Sequence, residues 1–183
     1  HETGLTACAF LPFVKRRTLP MRHVIIMAGI ALISACSAGE KAKEPTQREQ
    51  IGQSWKYEEA EGTKLAYVGS ANSVATMTAP DTFSVLLVQP MSNGEKTVRV
   101  KLVGAPFRCD LSDCAVTARA DGGEPMEWKG RMTTTDDGIE LPPSQKAYEA
   151  IKAARTIDVD LITGTKDETT RFRFNVAGLD LPG

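Results

Sequence analysis

Residues 83–102 read FSVLLVQPMSNGEKTVRVKL and contain two apolar segments around a turn signal. The first segment, Phe83–Gln89, is almost continuously apolar, which predicts a central strand buried on both faces. Ser92-Asn93-Gly94 predicts a turn, because glycine readily adopts positive φ. The second segment, Thr97–Leu102, alternates apolar and polar side chains, which predicts that Val98, Val100 and Leu102 point inward. This stretch therefore predicts an antiparallel β-hairpin.

Similar strand patterns extend on both sides of the hairpin. Before it, strands are predicted over 55–57, 65–68 and 73–77. After it, the predicted strands are 114–120, 126–132, 138–141, 156–162 and 171–176. One helix is predicted over 145–155, capped by Ser144, with Tyr148 and Ile151 on its apolar side. Short connections favour antiparallel pairing, so we predict a mainly β fold, either an antiparallel β-sandwich or a half-open barrel with one packed helix.

The amino-terminal part carries a secretion pattern. Met21-Arg22-His23 leads into the apolar run Val24–Ile33, which small residues follow; this is the layout of a bacterial secretory signal. The run of about 10 residues is half the roughly 20 that a membrane-spanning helix needs. Ile33-Ser34-Ala35-Cys36 resembles the lipobox of bacterial lipoproteins. The resemblance implies that the Cys36 thiol is acylated with a palmitate-type chain, that residues 1–35 are removed, and that the lipid holds the protein on a membrane.

These patterns predict four segments. Residues 1–20 are interpreted as upstream-translated sequence, 21–35 as the signal peptide, 36–53 as the lipidated cysteine with a disordered tether, and 54–183 as a β-rich periplasmic domain. A longer signal that begins near Lys15 stays open as an alternative. An ordinary cleaved signal without lipid is a second alternative.

The charge balance argues against nucleic-acid binding. The chain has 22 Lys and Arg against 23 Asp and Glu, a net charge of −1. Removal of residues 1–35 would leave 18 basic and 22 acidic side chains, a net charge of −4. Nucleic-acid binding depends on neutralising phosphates with clustered basic residues, so no nucleic-acid partner is predicted. The dispersed basic residues also lack the clustering of a polybasic membrane patch.

The four cysteines are predicted to differ in their processing and bonding. Cys8 lies in the removed part, Cys36 would carry the lipid, and Cys109 and Cys114 remain as a pair in an oxidising compartment. A disulfide is the favoured interpretation, and closing so short a loop should contribute roughly 2 kcal/mol. A redox dithiol usually has two intervening residues rather than four. A zinc site would need further Cys or His ligands, which the domain lacks.

Catalytic patterns are absent from the sequence of the predicted mature domain. Both histidines, His1 and His23, precede the predicted cleavage point. A serine nucleophile commonly needs a histidine base, and neither a Ser-x-x-Lys nor a G-x-x-x-x-G-K pattern follows Cys36. We therefore predict no catalytic residue, no metal and no cofactor.

Two acidic patterns have structural interpretations. Asp136-Asp137-Gly138 is typical of a hairpin turn and lacks the spaced carboxylates of a calcium loop. Asp158 and Asp160 share one face of a predicted strand and are expected to lie on a solvated sheet surface, with acid–base chemistry as the alternative. If that strand pairs with 171–176, Arg171 and Arg173 would form cross-strand charge pairs with the two aspartates.

Four aromatic residues are predicted to lie in the core or on a sheet face: Trp55, Tyr57, Tyr67 and Trp128. A carbohydrate or peptide platform built from them is the alternative.

The second half of the chain resembles a known group. A cysteine pair, Trp128, a short helix and a closing segment with Phe174, Val176, Gly178 and Leu179 follow one another there, and the resemblance covers roughly residues 55–181. This order looks like small proteobacterial secreted proteins and lipoproteins of unknown function that close on a Phe-x-Val-x-Gly-Leu strand, and it is similar to accessory lipoproteins associated with type VI secretion. The resemblance implies a sandwich fold and an envelope location, and no catalytic residue.

The expected function follows from the predicted lipid anchor, the predicted tether and the predicted β-rich domain. The protein is expected to be a lipid-anchored binding or structural accessory module for another envelope protein. Ser37 after the lipidated cysteine implies the outer membrane, by resemblance to Gram-negative lipoproteins. A periplasmic inhibitor or small-ligand binder, similar to lysozyme inhibitors, is the alternative, with the Cys109–Cys114 loop as its inhibitory edge. A hydrolase with an unrecognised carboxylate site is the third hypothesis.

Overall fold

A computed structural model describes residues 45–60, 62–111, 113–142, 145–163 and 168–181. The predicted signal peptide, Cys36 and the first part of the predicted tether lie outside the described residues, and so does Ser144. The described residues belong to one compact unit that spans residues 42–183.

These residues form ten strands and two helices. The six strands of the first sheet are β1 (Lys56–Ala60), β2 (Thr63–Gly69), β3 (Phe83–Pro90), β4 (Lys96–Val103), β7 (Arg131–Met132) and β8 (Gly138–Leu141). The four strands of the second sheet are β5 (Ala115–Ala120), β6 (Met126–Lys129), β9 (Thr156–Ile162) and β10 (Thr169–Asn175). The helices are α1 (Gln47–Ile51) and α2 (Gln145–Ala153).

The two sheets make an antiparallel β-sandwich. The strand order is β1-β2-β3-β4-β8-β7 in the first sheet and β10-β9-β5-β6 in the second. Apolar side chains of both sheets and of α2 form one buried cluster, in which Phe172 and Phe174 are fully buried. The predicted mainly β fold is confirmed, and of its two forms the structure shows the sandwich.

The predicted hairpin is confirmed as β3 and β4. Val98 lies opposite Val88, and Val100 lies opposite Leu86, all on the buried face. Burial of β3 on both faces is wrong, because Val85 and Leu87 on its other face are only half-buried. They lie opposite Lys101 and Arg99 in β4, whose aliphatic stems can cover part of an apolar strand while the charged ends stay in water.

The predicted strand 126–132 is in fact two strands that belong to different sheets. Lys129 is the last residue paired with β5, and Arg131 is the first paired with β8. Gly130 lies between them, and its N–H donates to the carbonyl of Cys114 at 2.9 Å. A side chain at position 130 would meet the carbonyl oxygen of Glu140, so the chain crosses between the sheets where only glycine fits.

The predicted strand over 73–77 is also wrong. Val74 makes a single bridge to Thr82, and the residues between them form a loop. Thr76 organises this loop, because its hydroxyl bonds the Thr82 hydroxyl at 2.8 Å and accepts from the Ala79 N–H at 3.2 Å. Local side-chain bonds of this kind compete with the ladder of a strand.

The end of the predicted tether is ordered. Thr46 and Glu49 form a reciprocal capping box that begins α1, and the Arg48 guanidinium donates to the carbonyl of Ala71 at 2.9 Å. Ile51 packs against Gly69, where a Cβ would lie only 2.7 Å from the Ile51 side chain. The disorder prediction is therefore wrong for Gln47–Ile51, since the Ile51 side chain and the Arg48 hydrogen bond dock this short segment on the domain.

Asp121 connects the β5–β6 turn to the end of α2. It has a φ of 48°, and its carboxylate accepts hydrogen bonds from the N–H groups of Arg155 and Thr156 at 3.0 and 2.8 Å. The Thr156 N–H, helped by the other donors, holds the pKa of Asp121 below its usual value. The carboxylate thus satisfies backbone donors between α2 and β9.

We predict that protonation of Asp121 contributes to the decrease in the free energy of unfolding at acidic pH. Because the pKa of Asp121 is lowered on folding, its contribution is present above the unfolded value of 3.8 and is lost as pH falls through the folded value. Asp121→Asn keeps a residue that tolerates this backbone conformation. Denaturant titrations at several pH values should show the variant less stable near neutral pH, with the difference shrinking in acid. A difference independent of pH would contradict this role.

Candidate functional site

The two predicted cross-strand charge pairs are confirmed on the outer face of the second sheet. Arg171 lies opposite Asp160, with 2.9 Å between Nε and Oδ1, and Arg173 lies opposite Asp158 at 2.8 Å. The prediction of a solvated aspartate face is wrong for Asp158, which is 4% exposed. The Arg173 guanidinium covers this carboxylate and bonds both of its oxygens.

Asp136-Asp137-Gly138 forms the predicted turn between β7 and β8. Asp136 has a φ of 53°, and the Asp137 carboxylate accepts from the hydroxyls of Thr133 and Thr135 at 2.7 and 2.6 Å. Burial acts to raise the pKa of Asp137, but bonds from Lys101 and the two threonines outweigh it and lower that pKa. No group of three His, Cys, Asp or Glu side chains that could hold a metal ion occurs in the described part of the chain.

The aromatic residues lie in the core and on sheet faces, as predicted. Trp55 and Trp128 are buried, and the Trp55 indole N–H donates to the carbonyl of Val176 at 2.8 Å. The Tyr57 hydroxyl accepts from the N–H of Asp180, and the Tyr67 hydroxyl donates to Glu58. Both tryptophans contribute to packing, so neither can offer a flat surface to a sugar or peptide.

The predicted Cys109–Cys114 disulfide is present and closes a short loop between the first sheet and β5. Cys114 is buried in the core, and the N–H of Asp113 donates to the carbonyl of Asp110. Lys129 of β6 reaches Asp113 at 3.0 Å, and this hydrogen bond raises the pKa of Lys129. The loop is thus held by a covalent bond, a core contact and an ion pair.

Leu111 stands out within this braced loop. Its side chain is 84% exposed, although leucine is usually buried. Sequence reasoning missed it, but one signal was available: an apolar residue inside a short loop closed by two cysteines has little chance to reach the core. The disulfide therefore presents an apolar side chain to solvent at low conformational cost.

A cavity of about 770 Å³ adjoins the disulfide loop, lined by Phe107, Arg108, Cys109, Asp110, Leu111, Met132, Asp136 and Ile162. A second cavity of about 610 Å³ shares Arg108 with it and extends over the 74–82 loop, Ala105 and Pro106 to Thr163, Glu168 and Thr170. Arg108 also makes an isolated β-bridge with Ile162, so its backbone is fixed between the two cavities.

Met77 is one of the residues that line the second cavity. It is 89% exposed, on a loop that the Thr76 hydroxyl network and a hydrogen bond from Thr78 to the Gly104 carbonyl hold in place. No sequence signal marked this residue. We call Met77, Arg108, Leu111 and the two adjoining cavities the docking end.

The chemistry of the docking end suits binding. Met and Arg are enriched at protein interfaces, Leu111 adds exposed apolar area, and loops that are already ordered lose less freedom on binding. Acidic side chains also line the cavities, at Asp110, Asp136 and Glu168. The described residues contain no histidine, so no histidine base lies here. Among the described residues, no helix combines the length and the apolar character needed to cross a membrane.

Comparisons with known proteins give little further information. No protein-family model matches the chain, and no curated protein matches it. Among solved structures, the crystal structure of invasion associated protein B from Bartonella henselae is similar with a TM-score of 0.46 and 11% identity, over 69% of this chain and 87% of that chain. A similarity at this level carries no argument about fold or function.

Proposed function

We propose that the protein is a lipid-anchored envelope module that binds another envelope protein through the docking end and performs no catalysis. The observation that carries the proposal is the exposure of Leu111 on a loop that is closed by a disulfide and anchored in the core through Cys114. The predicted lipid at Cys36 would keep the domain at the membrane, and the outer membrane is the proposed location.

The arrangement around Leu111 supports binding of a folded protein rather than a small molecule. The two cavities are open and continuous with exposed Met77, so together they offer a broad surface with apolar, cationic and acidic groups. Interfaces of this composition place their binding energy in a few anchors. Leu111 and Met77 are the proposed anchors. The guanidinium group of Arg108, which lines both cavities, is the proposed hydrogen-bond donor.

A test uses photo-crosslinking in native envelopes. The full chain would carry a photoreactive amino acid in place of Leu111 or Met77, with Met91, which is exposed and outside the docking end, as matched control. We expect one stoichiometric adduct from 111 and 77 and none from 91. Leu111→Asp should reduce recovery of the same adduct from position 77 by about tenfold or more, since anchor residues contribute about 2 kcal/mol each. Equal adducts from all three positions would refute the docking end.

The stability of the variants provides the control for folding. Leu111 contributes little to the core, so Leu111→Asp should change the free energy of unfolding by less than about 0.5 kcal/mol. Cys36→Ala separates the contribution of the proposed anchor from that of the docking end. Loss of the adduct in Cys36→Ala alone would assign the interaction to membrane proximity instead.

A periplasmic inhibitor is the second candidate, favoured by the same exposed Leu111 on a disulfide-closed loop. Such a protein would insert the disulfide loop into the active-site cleft of a cell-wall hydrolase. The full chain should then slow cell-wall hydrolysis by lysozyme, and Leu111→Asp should abolish the effect. No inhibition by the parent protein would leave the accessory role as the proposal.

A further inference from the structure

A second surface, distinct from the docking end, carries excess positive charge. On the outer face of the second sheet, the guanidinium groups of Arg119, Arg171 and Arg173 surround two carboxylates, those of Asp158 and Asp160. The local balance is one positive charge, although the whole chain has a net charge of −1. This charged cluster therefore differs in sign from the chain as a whole.

Both carboxylates of the cluster are already satisfied. Asp158 accepts from Nε and Nη2 of Arg173 at 2.8 and 3.0 Å, and Asp160 accepts from Arg119 and Arg171 at 2.6 and 2.9 Å. No described residue accepts a hydrogen bond from the two terminal nitrogens of Arg171 or from Nη1 of Arg173. Guanidinium groups offer five N–H donors each, so several charge-bearing donors remain available.

These donors border a small hollow. A cavity of about 260 Å³ is lined by Ala71, Asn72, Asp158, Arg171 and Arg173. Both arginine side chains are more than half exposed, so an incoming group could reach them from solvent. The volume suits a small polyatomic anion, since a water molecule occupies about 30 Å³ of liquid.

The walls of the hollow are preorganised. The Ala71 N–H donates to the carbonyl of Arg173 at 2.7 Å. The Asn72 side chain accepts from the Arg173 N–H and donates to the Arg171 carbonyl, both at 2.8 Å. Asn72 thus pairs with the edge of β10 at both positions that carry an arginine. Nε of each arginine is also held by an aspartate, which reduces the freedom lost when a ligand binds.

The two arginines lie close enough to oppose each other electrostatically. The bond to Asp160 raises the pKa of Arg171, while the charge of Arg173 acts in the opposite direction. An anion placed between them would relieve this repulsion and accept from the remaining N–H groups of both guanidinium groups, since arginine binds phosphate through charge-assisted hydrogen bonds.

We propose that the hollow formed by Asn72, Arg171 and Arg173 binds a phosphate group, carried either by a lipid headgroup or by a soluble phosphate compound. Asp158 does not repel the ligand strongly, because the bidentate contact with Arg173 neutralises it. Arg171 supplies the donors that are most available, and Arg173 supplies one further donor while it continues to cover Asp158.

The structure offers a well-matched pair of variants. Arg171→Gln removes the main donor, yet Asp160 keeps its bond from Arg119, so the buried network stays paired. Arg131→Gln is the control, because Glu140 in the same way keeps Arg99 after Arg131 is removed. Each variant changes the net charge by one. A difference in phosphate binding between the two variants therefore depends on where the arginine lies and not on the total charge.

The first arm of the test titrates the full chain with inorganic phosphate at constant ionic strength, set with sodium chloride. We expect saturable shifts of the Nε–Hε resonances of Arg171 and Arg173 in NMR spectra. Arg171→Gln should raise the Kd for phosphate about tenfold or more, as loss of a charge-assisted contact predicts, and Arg131→Gln should leave it unchanged. Shifts that chloride reproduces, or an equal loss in both variants, would count against the site.

The second arm identifies the source of the phosphate group. The full chain carrying Cys36→Ala is floated with vesicles of phosphatidylglycerol and phosphatidylcholine, so that the predicted anchor makes no contribution. Flotation that requires Arg171 and is competed by inorganic phosphate assigns a lipid headgroup. Phosphate binding without flotation assigns a soluble phosphate compound. Absence of both phosphate binding and Arg171-dependent flotation overturns the proposal.

Discussion

Replacing Gly130 with alanine should lower the free energy of unfolding by about 3 kcal/mol or more, because the new Cβ would lie 2.2 Å from the carbonyl oxygen of Glu140. That oxygen belongs to β8, and the Ile139 side chain lies only 3.1 Å from the same point. Relief of the clash would separate the end of β8 from the crossing chain. Thermal unfolding of the variant should show a melting temperature lower by roughly 10 °C.

Gly122→Ala supplies the control for this prediction. Gly122 has a φ of 72°, and a Cβ there would meet no atom within 4 Å. Its replacement should cost about 1 kcal/mol, from backbone conformation alone. If Gly130→Ala were no more harmful than Gly122→Ala, the close approach of the crossing chain to β8 at residue 130 would not be a determinant of the fold.

Replacing Arg173 with glutamate should have a similarly large effect. Asp158 is buried, and Arg173 is the residue that bonds both of its oxygens. Arg173→Glu removes this bidentate contact and places two carboxylates opposite each other, while loss of the covering side chain lets water reach Asp158, so the loss should be about 2 to 3 kcal/mol. Arg171→Glu should cost less, because Asp160 keeps Arg119. Denaturant unfolding of both variants checks this order.

A double variant tests whether the pair itself is responsible. Asp158→Asn combined with Arg173→Gln replaces both charges by neutral groups that can still hydrogen-bond, so most of the stability should return. Equal losses for Arg173→Glu and Arg171→Glu would show that Asp158 is not specially dependent on its covering arginine. If the double variant stayed as unstable as Arg173→Glu, the lost stability would come from packing of the Arg173 side chain and not from its charge.

The proposed docking end and the proposed phosphate hollow make separate demands on the molecule. The docking end depends on exposed apolar side chains on two loops, whereas the hollow depends on guanidinium donors on one strand. Leu111→Asp should leave phosphate binding intact, and Arg171→Gln should leave the crosslink from position 77 intact. The two proposals can therefore succeed or fail independently.

Local patterns of apolar and polar residues in the sequence were sufficient to predict most of the strands. The alternation in Thr97–Leu102 places every second side chain on one face, and burial of that face follows from the period of the strand. The same logic predicted that the two aspartates and the two arginines would face each other if their strands paired, and the structure supplied the pairing and its register. The Cys109–Cys114 bond followed from spacing and from the predicted compartment.

Other features depended on contacts between residues distant in the chain, which no local pattern contains. The 126–132 segment is continuous in sequence, but the proximity of the Glu140 carbonyl makes Gly130 the crossing point between sheets. Docking of Ile51 on Gly69 ordered a segment whose composition predicts disorder. Asp158 became buried because a long side chain from β10 covers it, and periodicity predicts only which face a residue occupies.

The candidate surfaces show the same division. The sequence alone determined that Leu111 lies in a short, covalently closed loop and that Arg171 and Arg173 share a face. Only the tertiary structure placed Met77 on a cavity that also has Arg108 in its lining, and only it placed Asn72 along β10 to form one wall of the hollow. The reason is physical: secondary structure follows from local periodicity, whereas a binding surface is a set of side chains that packing brings together from separate loops.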